Sequence, residues 1–98
     1  MADGCSPLLP EVRHTFLVEA HAETDVLLRV LNPFAIQGAR IVGAELSERA
    51  GQVAIRIEVI GMAMARAELV MSRLRGLPSV LAVGLAWRKE ALPLKEVA

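Results

Sequence analysis

Ninety-eight residues hold one domain and leave no room for two. A 54% hydrophobic share against 22% charged marks a chain that folds, and two Phe, one Trp and no Tyr make its core aliphatic. Eleven basic residues balance eleven acidic ones, and no basic face of the kind that neutralises nucleic-acid phosphates is visible, so no nucleic-acid partner is expected.

No apolar run reaches the ~20 residues of a membrane span. The stretch "MADGCSPLLPEV" has neither the basic segment nor the long apolar run of a secretory signal, and Cys5 has no second cysteine to pair with, so a cytoplasmic chain is expected. So small a chain with this much aliphatic content predicts exposed apolar surface and hence an oligomer, most simply a dimer.

Residues 1–11 carry Gly4, Ser6, Pro7 and Pro10, the composition of a flexible arm. "VRHTFLVEA" (12–20) alternates, with Val12, His14, Phe16 and Val18 on one face, and reads as a strand. "HAETD" (21–25) is a polar connection in which Thr24 is the expected N-cap and Asp25 suits the first turn of a helix. That helix is predicted over about 25–37, its stripe formed by Leu27, Val30, Leu31, Phe34 and Ala35. Pro33 interrupts it, at a cost of roughly 3 kcal/mol in a helix interior, and is expected to bend it so that Phe34 reaches the sheet. Gly38 is placed to end the helix in the left-handed region.

"ARIVGAELSE" (39–48) reads as a second strand, but Ile41 and Leu46 fall on opposite faces unless a bulge lies near Gly43. "RAG" (49–51) is a tight turn with Gly51 available for positive φ. "QVAIRIEVI" (52–60) puts Val53, Ile55, Ile57 and Val59 on one face and Ala54, Arg56 and Glu58 on the other. A second helix is predicted over 62–76, with Met64, Ala67, Val70, Met71 and Leu74 inward and Gly76 as its C-terminal cap before Pro78. "SVLAVGLAWR" (79–88) is a fourth strand with Leu81, Val83, Leu85 and Trp87 on one face, Trp87 capping the core or anchoring a subunit contact. Residues 89–98 form a tail.

The order β-α-β-β-α-β predicts an α+β, ferredoxin-like sandwich over 12–88, a four-stranded antiparallel sheet with two helices on one face. Many functions share this scaffold. A metal chaperone on it needs Cys-x-x-Cys in the first loop, an RNA-binding module needs aromatics on its central strands, and an acylphosphatase-type enzyme needs a Gly-rich anion loop. None of these is present.

"LLRVLNPFAIQGARIVGAEL" resembles the first helix and second strand of ACT domains, and "LRGLPSVLAVGLAW" is similar to their closing segment. In particular the chain resembles the small regulatory subunits of acetolactate synthase, where "L-x-R-V-L-x-x-F-x-x-x-G" recurs. The resemblance implies a non-catalytic dimer in branched-chain amino-acid biosynthesis that binds a thiamine-diphosphate-dependent catalytic subunit and responds to an amino-acid effector. It implies that contacts gather at the first loop, the start of the first helix and the Gly turn: His21, Glu23, Thr24 and Asp25, and Gly38, Ala39, Arg40 and Ile41. The first loop lacks a glycine, and Glu23 and Asp25 would repel a carboxylate while accepting an ammonium group.

No pairing of Ser47, Thr24, His14 or His21 makes a nucleophile with its base, and no Cys, Asp or Glu cluster completes a metal set around either histidine. No catalytic residue, metal or cofactor is expected. The alternative to a partner-binding subunit is a stand-alone amino-acid sensor using the same turn.

Overall fold

A strand whose every second residue is apolar buries one face, and the computed structural model, which describes residues 11–90, builds its sheet on such a strand. The elements are β1 (Glu11–His21), α1 (Val26–Ile36), β2 (Arg40–Arg49), β3 (Gln52–Ile60), α2 (Met64–Arg75) and β4 (Val80–Glu90). On β3, Val53, Ile55, Ile57 and Val59 are buried while Ala54 and Arg56 are exposed. The sheet order is β2-β3-β1-β4, each neighbour antiparallel. Both helices pack on one face, since Val26, Val30 and Phe34 share a core with Ala67, Val70, Leu74 and the inward residues of β1 and β3. Each fully buried aliphatic or Phe side chain contributes about 1.5–3 kcal/mol.

α1 buries Val26, Val30, Pro33 and Phe34, a stripe rotated from the expected one, with Leu27 and Leu31 half-buried and Ala35 exposed. Pro33 is itself buried, so its apolar ring offsets the donor it removes. Phe34 meets Phe16 of β1 edge to face, ring centroids 4.8 Å apart at 87°. Asp25, not Thr24, is the N-cap residue, and no side-chain cap bond forms. α2 buries Ala67, Val70 and Leu74 as its period requires. Its C-cap Gly76 has φ −82°, a right-handed conformation that demands no glycine. No helix among the described residues is long and apolar enough to cross a membrane.

Two irregularities set the phase of the outer strands. The β2–β3 register shifts between Ile41 and Gly43, leaving Val42 as the extra residue and bringing Ile41 and Leu46 onto the same face. The β1–β4 register shifts too: Glu19 faces Ala82 and Ala20 faces Val80, so Leu81 is the extra residue. Val80 therefore packs against the core in place of Leu81, which is exposed. His14 is fully buried on β1, where its Nε2–H donates to the Met62 carbonyl at 2.9 Å. β1 takes in Glu11 from the expected arm and β4 takes in Lys89 and Glu90 from the expected tail, because these residues pair with one another and with Val12 in the β1–β4 ladder. The side chain of Trp87, residues 1–10 with Cys5, and residues 91–98 lie outside what is described.

The β2–β3 hairpin closes between Arg49 and Gln52 with Ala50 at φ 53° and Gly51 at φ 80°. Positive φ at both central residues is the type I′ turn, and Ala50 carries the strain of a Cβ there. Ala50→Asn is expected to stabilise the chain by about 0.5–1 kcal/mol, read as a rise of a few degrees in Tm. An unchanged or lowered Tm would contradict this turn geometry.

Candidate functional site

At the C-terminal end of α1, a helix must satisfy its last carbonyls or leave them to water. Here Gly38, at φ +70°, lets the chain fold back: its N–H donates to the Ala35 carbonyl at 3.0 Å and the Ala39 N–H to the Phe34 carbonyl at 2.9 Å. These two bonds make a Schellman motif. The chain then enters β2 at Arg40, opposite Ile60. Beside this turn runs a second one, β3 to α2, pivoting on Gly61 at φ +73°. Met62 is buried there and held by His14.

The two turns enclose an open basin of about 500 Å³ lined by Gln37, Gly38, Arg40, Gly61, Ala63 and Arg66, among others. Arg66 reaches the backbone and side-chain oxygens of Gln37 at 3.5 and 3.4 Å, both long contacts to neutral acceptors. Among the described residues neither Arg40 nor Arg66 has a carboxylate partner, whereas Arg13, Arg29 and Arg56 each meet one at 2.8–2.9 Å.

The first loop lies at the other end of the sheet. The His21 N–H donates to the Ser79 carbonyl and the Ala22 N–H to the Gly51 carbonyl, both at 2.9 Å, tying the end of β1 and the loop to the residue before β4 and to the hairpin turn. Ser79 Oγ donates to Glu23 Oε1 at 2.5 Å, and Arg29 Nε to Asp25 Oδ2 at 2.8 Å. Both acids expected to receive an ammonium group are thus already engaged. The hydrogen bond from Arg29 holds the Asp25 carboxyl below the usual carboxylate range. Thr24 and His21 are exposed.

Of the expected residues, Gly38, Ala39 and Arg40 line the basin, while Ile41 begins the exposed edge of β2. His21, Glu23, Thr24 and Asp25 are separated from them by the length of α1, about 16 Å. Within one chain the two groups do not meet. Gly61, Ala63 and Arg66 were not anticipated, and the available signal was a second glycine standing directly between a strand and a helix.

An added Cβ at Gly38 would meet nothing within 4 Å, so its cost is the backbone conformation alone. Gly38→Ala is expected to lower stability by about 1–2 kcal/mol in denaturant unfolding; an unchanged midpoint would refute the left-handed assignment. Asp25 has a folded-state pKa below its unfolded value, so what it contributes is present above the unfolded value and lost as pH falls through the folded one. Its carboxyl resonance should titrate at lower pH in the parent than in Arg29→Gln, and coincident midpoints would show that the pair does not persist in solution.

A family profile described as an ACT-like domain matches residues 10–92. No curated protein matches the chain. Among solved structures, the ACT domain from GTP pyrophosphokinase of Chlorobium tepidum is similar at TM-score 0.69 and 10% identity, covering 78% of this chain and 99% of that one. The C-terminal domain of the MgtC protein from Mycobacterium tuberculosis is similar at TM-score 0.67 and 13% identity, covering 89% and 95%. A homoserine dehydrogenase from Thiobacillus denitrificans is similar at TM-score 0.65 and 13% identity, over 86% of this chain but 18% of that protein. At these identities the likenesses carry the fold. With the profile spanning nearly the whole chain, this protein belongs to the ACT-like domain family.

Proposed function

We propose that this chain is a non-catalytic regulatory domain that pairs with a second copy along β2 and acts by binding a partner enzyme. The partner class to which its first helix points is the thiamine-diphosphate-dependent catalytic subunit of acetolactate synthase, in branched-chain amino-acid biosynthesis. One observation carries the pairing. β2 is an edge strand with one row of backbone groups unpaired. Three of the eight large apolar side chains exposed among the described residues, Ile41, Val42 and Leu46, lie on it, against one on β4. Ile41 faces Val59 and Leu46 faces Ile55, each two residues from Ile57, whose partner is Ala44. A two-fold axis at Ala44 therefore sets Ile41 beside the partner's Leu46, and the same contact recurs across the axis.

Antiparallel pairing of β2 with its copy also resolves the separation of the two site halves. It brings the hairpin end of one copy, with the first loop fastened to Gly51, to the same end of the assembly as the partner's Gly38 turn. Binding there is shared between copies, so a ligand or an enzyme surface with different affinity for two arrangements of the pair biases one over the other. The stand-alone sensor reading draws its support from the basin, whose unpaired arginines suit a small ligand better than a protein surface.

Light scattering on the full chain is expected to give twice the monomer mass, and Ile41→Lys with Leu46→Lys to give a folded monomer. A monomeric parent would overturn the pairing. A tagged chain returned to its native extract is expected to retain a thiamine-diphosphate enzyme in near-stoichiometric amount, and recovery of the chain alone would replace this reading with the sensor.

A further inference from the structure

We propose that the basin between the Gly38 and Gly61 turns binds the oxyanion group of a small metabolite, a phosphate or a carboxylate, between Arg40 and Arg66. The inference rests on reading the Gly38–Ile41 turn as a binding surface, and it names the ligand chemistry of that surface.

Charge is the first argument. Two guanidinium groups line one concavity, no carboxylate lines it, and neither arginine has an acidic partner among the described residues. Arg49, Arg73 and Arg75 also lack an acidic partner among the described residues, but Arg49 shares its concavity with Glu19. Arg40 and Arg66 stand apart because they line one basin together with no carboxylate in it, a positive potential without a local counter-charge. The second argument is the state of the donors. Arg66 rests on two neutral oxygens of Gln37 at 3.4–3.5 Å, beyond good hydrogen-bonding range. An ionised acceptor makes shorter bonds of roughly twice the strength, so an oxyanion would displace these contacts.

The third argument is access. At Gly38 and at Gly61 nothing lies within 4 Å of the place a Cβ would occupy, so a ligand can approach the backbone of both turns. The Met62 carbonyl, which would repel an anion, is instead occupied by His14. A volume of about 500 Å³ accommodates a metabolite well beyond a bare ion.

The test is a titration of the isotope-labelled full chain, followed by its backbone amide resonances. Inorganic phosphate and acetate are used in separate arms, with sodium chloride balancing the ionic strength. Saturable shifts centred on Gly38, Gly61 and Ala63 are expected. Arg40→Gln and Arg66→Gln are each expected to weaken binding about tenfold, and the double variant to abolish it. Saturation by phosphate alone identifies a phosphate-bearing ligand, and saturation by acetate alone a carboxylate. Shifts that never saturate, or that persist in the double variant with its melting temperature intact, overturn the proposal. Mass measured on the same samples separates this from the pairing. A dimer without saturable shifts rejects the oxyanion site and keeps the paired domain. A monomer with saturable shifts does the reverse.

Discussion

The contact between Phe16 and Phe34 governs the rest of the molecule. These are the only two phenylalanines in the chain, and they meet edge to face at 4.8 Å. Phe16 sits on β1, which pairs with both β3 and β4, so α1 is pinned to the middle of the sheet. The same Phe34 that fills the core also offers its carbonyl to Ala39. Where the ring lodges thus decides where the helix stops and where one wall of the basin stands. Pro33, buried beside it, adds its ring to the same packed face of α1.

Much of this arrangement was legible in the residues. The alternation of β3, the period of α2 and the left-handed role of Gly38 are local properties, decided by which side chains face water and which φ a residue tolerates. The bulge beside Gly43 was legible too, because Ile41 and Leu46 could share a face in no other way. The departures come from strand pairing and from burial, which act beyond the local pattern. Leu81 reads as a core residue until β4 slips by one against β1, and that slip depends on a partner strand more than sixty residues earlier in the chain. The stripe of α1 rotated because Pro33 counts as apolar bulk once it is buried, whereas a sequence pattern treats it as a breaker. Ala50 stands at a positive φ that alanine seldom bears, because the register between Arg49 and Gln52 imposes it.

The candidate site was half legible for a different reason. The first loop and the Gly38 turn flank one helix in sequence, which hides the fact that a helix separates its two ends. Whether they act together depends on symmetry between copies, and no pattern within a single chain encodes a two-fold axis directly. What the chain does encode is the even placing of Ile41 and Leu46 about Ala44 and the lack of a carboxylate for Arg40 and Arg66. Both are local groupings: apolar side chains left in water along one edge, and two cations sharing one concavity with no anion in its lining.

Both bulges fall on the outer strands, at Val42 and Leu81, while the inner pair β1–β3 keeps an unbroken register. A regular edge invites any extended chain to add to it, and repeated addition makes fibres. An extra residue interrupts the run of evenly spaced donors and acceptors that such growth requires. The extra residues at Val42 and Leu81 therefore make both outer strands poor templates for an indefinite series of added strands, which guards a small aliphatic domain against fibre growth.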